Sequence, residues 1–209
     1  MKNPRFLLLL TLFSLYCKVS NTEDVSTDTE TYPAFCRSSK CPKYQLVKTY
    51  EKFEHRIYDA TNWATTYLEL DFFGIGMAKS FKRLHDYING KNSEGLKLKM
   101  AVPVRVQVSL KDNSTSNATM SFFLPPAVVT PPSPLNPDVY IESFHNMSVY
   151  VKTFGGYALN FHYEKHSKKL EQELLALDLP YNNTYGIAAG YNDPLIVFNR
   201  HNEVWFTAL

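Results

Sequence analysis

The chain has 209 residues, 44% of them hydrophobic and 20% charged, with 14 Tyr, 14 Phe and 2 Trp. That composition can close an apolar core and excludes disorder over most of the length, and at roughly 150 residues per domain it favours one compact domain. Lys and Arg total 22 against 20 Asp and Glu, a net charge of +2, too balanced for a protein that neutralises nucleic-acid phosphates.

Lys2 and Arg5 precede an almost unbroken apolar run from Phe6 to Leu15, which reads as a secretory signal peptide over residues 1–20. The run is about ten residues long, short of the roughly twenty that span a bilayer, so no stable membrane anchor is expected. Loss of Lys2, Arg5 and Lys18 leaves 19 basic against 20 acidic side chains. Asn21 to Tyr32 is polar and without apolar period, so residues 21–43 are expected to form a flexible arm ahead of a domain at 44–209. Cys17 lies in the signal, leaving Cys36 and Cys41 as an even pair for a local disulfide that pins the arm and adds little to stability. Two cysteines alone fall short of the four ligands zinc takes, so no metal site is expected. Asn113, Asn117, Asn146 and Asn182 each open an N-glycosylation sequon, and four of them behind a signal peptide point to an extracellular glycoprotein.

Tyr44 to Tyr50, Phe53 to Tyr58 and Trp63 to Leu70 read as strands. Met77, Phe81, Leu84 and Ile88, spaced by three and four, predict an amphipathic helix from Gly74 to Ile88 that stops at Asn89-Gly90. Leu96 to Leu110 alternates as a long strand broken locally by Pro103, and Ala118 to Leu124 returns beside it. Six prolines between Pro125 and Pro137 form a surface connector. Strands then follow at Val139 to Phe144 and Ser148 to Phe154, a helix at about Tyr157 to Leu177, and strands at Tyr185 to Tyr191 and Val204 to Thr207. The order strand, strand, helix, strand, strand occurs twice, which predicts an α+β domain of curled antiparallel sheet with two helices.

No nucleophile elbow, Walker loop or zinc-protease helix is present, so no enzymatic activity is expected. Gly74 and Gly76 ease a strand-to-helix turn and lack the third glycine of a phosphate loop. His162 and His166 share a face of the second helix among lysines, a solvated face rather than a metal site. His85 borders the apolar stripe of the first helix, either as a half-wet boundary residue or as a ligand facing a pocket. His55 lies on a strand between Glu54 and Arg56. Tyr191, Trp205 and Phe206 read as core aromatics.

Lys99-Met100-Ala101-Val102-Pro103-Val104, Phe154-Gly155-Gly156-Tyr157-Ala158, Ala189-Gly190-Tyr191-Asn192-Asp193-Pro194 and Asn199-Arg200-His201-Asn202-Glu203-Val204-Trp205 resemble, in register, the motifs of the SOUL / haem-binding protein family. The resemblance runs from about Tyr44 to Ala208. It implies a distorted antiparallel β-barrel of two similar halves, each with one α-helix, and non-catalytic binding of haem, another tetrapyrrole or an apolar small molecule. Met77, Phe81, Leu84, His85 and Ile88 on the first helix, with Leu195, Val197 and Phe198 in the loop, correspond to the family's ligand site. His85 and His55 are the candidate axial ligands, because Ile57 stands where some members have a strand histidine. Asp86 and Ile196 stand where some members have basic residues. On those departures rests the alternative, an extracellular protein-interaction module on the same barrel.

Overall fold

A computed structural model of the chain describes residues 32–68, 75–111, 118–193, 196 and 198–209. Its strands are β1 (Tyr44–Thr49), β2 (Glu54–Tyr58), β3 (Thr61–Tyr67), β4 (Val104–Ser109), β5 (Thr119–Leu124), β6 (Val139–Phe144), β7 (Met147–Gly155), β8 (Tyr185–Gly190) and β9 (His201–Thr207). Helix α1 (Ile75–Ile88) follows β3, and α2 (Asn160–Ala176) follows β7. All strand pairings are antiparallel, in one sheet ordered β1-β2-β7-β9-β8-β4-β5-β3-β6.

Setting β1 aside, exchanging β2, β3, β4 and β5 with β6, β7, β8 and β9 reverses this order and leaves it unchanged. The two halves are therefore related by a two-fold through the β8–β4 junction, and each half completes itself with the other's first strand. β2 pairs with β7, and β6 with β3. The short β2–β3 and β6–β7 links are thus crossings between halves rather than hairpins.

Strand alternation separates two faces. Tyr58 of β2 and Trp63 of β3 share one buried cluster with Phe123, Val149, Val151, Ile187, Ala189 and Trp205. These strands stand second and eighth in sheet order, so the cluster closes only because the sheet curls into a half-barrel with this face inside. The outward residues Ala64, Met120, Phe122 and Leu124 pack under α1, and Tyr150, Val204 and Phe206 pack under Leu170 and Leu174 of α2. Both helices therefore cover the convex face, α1 on β3, β5 and β6, and α2 on β7 and β9. This is the expected α+β arrangement of two halves with one helix each.

Two local expectations are corrected. The strand read from Leu96 begins only at Val104. Pro103 has no N–H to give a ladder, and the donors before it are used elsewhere: Leu98 N donates to Ile88 O at 2.7 Å and Val102 N to Lys40 O at 2.9 Å. The arm is not loose over residues 32–43. Ala34–Cys36 forms a single 3-10 turn, the Cys36–Cys41 disulfide is made, and both cysteines are buried in the concave cluster, with Tyr32 and Phe35 packed against it. Residues 1–31, with the signal-like segment and the start of the arm, lie outside the described residues, as does the expected helix start at Gly74.

Candidate functional site

The apolar stripe of α1 is divided. Leu84 is 0% exposed and Ile88 4%, both in the core under the helix with Tyr87. Met77 and Phe81 are half-buried and pack against that core from the flank, with Phe81 edge-on to Phe122 at 4.9 Å between ring centroids. The i, i+4 spacing sets His85 beside Phe81 along the helix, with the two rings 20° from parallel and their centroids 6.0 Å apart. Asn89 Nδ2 lies 3.2 Å from both ring nitrogens of His85 and donates to the His85 carbonyl at 2.8 Å. Burial, with Lys82 adding to it, lowers the His85 pKa from 6.5 against the pull of Asp86. The imidazole is therefore neutral at pH 7 and keeps a nitrogen lone pair.

α1 carries Lys79, Lys82 and Arg83 against Asp86 alone, and of the three Lys82 lies nearest the Phe81–His85 flank, because Lys79 and Arg83 are each two residues from Phe81 and face away from it. Asp86 accepts from Lys82 at 2.7 Å and Lys91 at 3.0 Å. Partial burial raises its pKa, but these two cations hold it below the ordinary carboxylate value. Arg83 reaches the Tyr67 carbonyl at 3.3 Å and Asp138 at 3.6 Å. A half-buried aromatic pair with Lys82 and Lys91 beside it suits an apolar aromatic molecule with anionic side groups, and His85 adds a donor nitrogen for a metal.

The end of α1 is fixed by Asn92, which is buried. Its Nδ2 donates to Tyr87 O at 3.0 Å and Leu96 O at 2.7 Å, while Oδ1 accepts from Glu94 N and Leu96 N. Asn92→Ala strands these backbone groups, and the expected loss is about 2–3 kcal/mol, read as a lower urea midpoint with unchanged slope.

The remaining candidates lie elsewhere. His55 points outward from β2, 2.8 Å from Ser148 Oγ and against Tyr150. It therefore belongs to the α2 half, six strand positions from β3, and the curl carries the convex faces of β2 and β3 further apart. His55 and His85 cannot hold one iron between them. Leu195 and Val197 lie outside the described residues. Phe198 is 81% exposed, and its carbonyl accepts from Arg37 of the arm at 3.4 Å; no contact among the described residues joins it to α1. His162 Nδ1 accepts from Leu159 N at the start of α2, and His166 stacks on Phe154 at 4.1 Å. Among the described residues no group of three or more His, Cys, Asp and Glu is arranged to hold a metal, and no helix is long and apolar enough to cross a membrane. Asn146 is exposed in the β6–β7 link, whereas Asn182 is half-buried and accepts from its own sequon's Thr184 at 2.6 Å. Asn113 and Asn117 fall outside the described residues.

Sequence reasoning missed the polar lining of the concave face. Glu203 accepts from Arg56 at 2.9 Å, His201 at 2.7 Å, Tyr191 at 2.7 Å and Trp205 at 2.7 Å. In the other half Arg105 donates to Glu142 at 2.7 Å, with its guanidinium over Trp63 and Phe144. The signal was present: Arg56 alternates with Tyr58, and Glu203 with Trp205, which puts each charge on an inward parity.

Comparison with known proteins agrees with this architecture. Residues 39–207 match the family model described as SOUL heme-binding protein. Over 163 residues the chain is 32% identical to heme-binding protein 2 of Homo sapiens, covering 73% of this chain and 76% of that protein. It is 29% identical over 157 residues to heme-binding protein 1 of Xenopus laevis, covering 74% and 82%. Among solved structures, the EcmrR C-terminal domain superposes with a TM-score of 0.52 at 10% identity, over 79% of this chain and 98% of that one, a likeness of fold.

Proposed function

Because the chain belongs to the SOUL haem-binding protein family, we propose that it binds haem or a related tetrapyrrole non-covalently on the flank of α1, without catalysis, as a secreted glycoprotein. The observation that carries this is the half-buried pair of Phe81 and His85, their rings 20° from parallel with centroids 6.0 Å apart, and Lys82 and Lys91 on the adjoining Asp86. Phe81 and Met77 would cover the macrocycle's apolar face, the lysines would meet its carboxylates, and neutral His85 would offer iron a nitrogen once Asn89 yields it. Bound haem would supply an iron centre. The chain's own residues bind and orient. Covering about 300 Å² of apolar surface gains roughly 7–8 kcal/mol at about 25 cal/mol/Å². That is about micromolar before association costs, so His85 and the cationic edge decide whether binding is selective. The signal-like segment and the four sequons support the secreted, glycosylated part of the reading.

The test is a haemin titration of secreted chain followed at the Soret band. The expected result is a saturable shift at about one haem per chain, weakened about tenfold or more by His85→Ala and unmoved by His55→Ala. No shift above an albumin-like background overturns it. That outcome favours an extracellular interaction module, for which the burial of Leu84 and Ile88 speaks, since it leaves α1 little apolar surface for a pocket. A mobility shift on deglycosylation tests the sequons separately.

A further inference from the structure

We propose that the concave face of the half-barrel is a second binding site, for a flat aromatic ring without negative charge, and that the chain's own Phe35 closes it. The Phe35 ring lies face to face with His201, 4.0 Å between centroids and 5° from parallel, with its neighbour Tyr191 edge-on at 5.1 Å and the Arg56 guanidinium 5.9 Å away. Behind them Tyr58 stacks on Trp205 at 5.0 Å. An aromatic ring already sits in an aromatic slot, and it is delivered by a segment outside the sheet.

That segment lies over the concave face from outside the sheet, with both its cysteines buried against the same cluster. Residues 32–43 add no strand among the described residues. Backbone bonds to the body run from Val102 N to Lys40 O and from Asp59 N to Lys43 O, and Arg37 donates to Asn199 O at 2.9 Å. Lifting the turn leaves the ladders from β1 to β9 paired. The Cys36–Cys41 bridge closes a loop with a sequence separation of 5, which keeps the turn that presents Phe35 in shape whether it is docked or lifted.

Charge selects the ligand. Arg56 is already shared by two carboxylates, Glu54 at 2.6 Å and Glu203 at 2.9 Å, so the slot offers an anion no uncommitted guanidinium. An anionic ring is left uncompensated there and a ring without negative charge is accepted. This separates the slot from the cation-edged flank of α1 on the opposite face of the sheet.

The test uses the full chain with its disulfide formed and the neutral fluorophore N-phenyl-naphthylamine. Phe35→Ala is expected to give a saturable fluorescence rise at about one probe per chain, while wild type and Phe35→Trp stay dark and haemin binding to the α1 flank is unchanged. In wild type, the Cys36 and Ser39 amides of the turn are expected to exchange about a hundredfold faster than those of β7 and β9. A folded Phe35→Ala chain that stays dark overturns the proposal, as does a wild type equally bright. If Phe35→Ala fails to fold, exchange decides: turn amides as protected as the strands make Phe35 permanent core.

Discussion

Glu203→Gln is expected to lower the stability by about 3–5 kcal/mol, the cost of breaking a buried ion pair by removing one partner, and the melting midpoint by roughly 10 °C. Glu203 is fully buried on β9, and the four hydrogen bonds it accepts among the described residues come from groups on the concave face. Glutamine keeps the shape and can still accept from Tyr191 and Trp205. It cannot compensate the Arg56 charge, for which Glu54 remains the other carboxylate. The pairing on Arg56 is strong: burial lowers its pKa, yet Glu203 and Tyr58 raise it well above the ordinary value.

The same substitution changes the pH profile. Burial raises the Glu203 pKa, but His201, Arg56 and Tyr191 hold it below the ordinary 4.5. A carboxylate depressed on folding contributes stability that is present above about pH 4.5 and is lost as pH falls through the folded value. Between pH 5 and 3 the wild-type midpoint should therefore drop more steeply than that of Glu203→Gln, and thermal scans across that range read the difference. Parallel acid branches would mean that Glu203 does not carry the charge assigned to it.

Local patterns in the sequence reached the element types because each depends on neighbours a few residues apart. The three-and-four spacing of Met77, Phe81, Leu84 and Ile88 is a helix whatever surrounds it, and Val104, Val106 and Val108 alternate whatever they pair with. Pairing partners are a different matter. Asp59 and Ala60 look like a hairpin link, yet β2 and β3 go to opposite halves, because each finds its register on a strand more than fifty residues away. Burial of Leu84 against exposure of the Phe81 flank is likewise set by where β3 and β5 arrive beneath α1. Residues 32–43 read as a flexible arm because a polar, cysteine-closed segment has no period of its own. What orders it is the aromatic slot formed by Tyr191 and His201, far along the chain.

Arg105 is expected to behave in the opposite way to Glu203. Arg105→Met should leave stability within about 1 kcal/mol of wild type, whereas Glu142→Ala should cost about 3 kcal/mol, both read from urea midpoints. Arg105 is 1% exposed, its Nε makes no hydrogen bond among the described residues, and burial, working against Glu142, leaves its pKa lowered. The guanidinium is thus poorly compensated where it stands, held by one carboxylate oxygen and by the faces of Trp63 and Phe144. Methionine fills similar volume against the same rings and removes the desolvation cost. Glu142 is then left with Thr65 Oγ1 at 2.7 Å and with water, which its side chain, 31% exposed, can reach. Removing Glu142 instead leaves the buried cation without its only ion pair among the described residues. The double variant should recover most of what Glu142→Ala loses, because the charge that needed compensation is gone. If Arg105→Met costs as much as Glu142→Ala, the pair is a net stabiliser, and the two halves of the barrel hold their buried charges by the same balance.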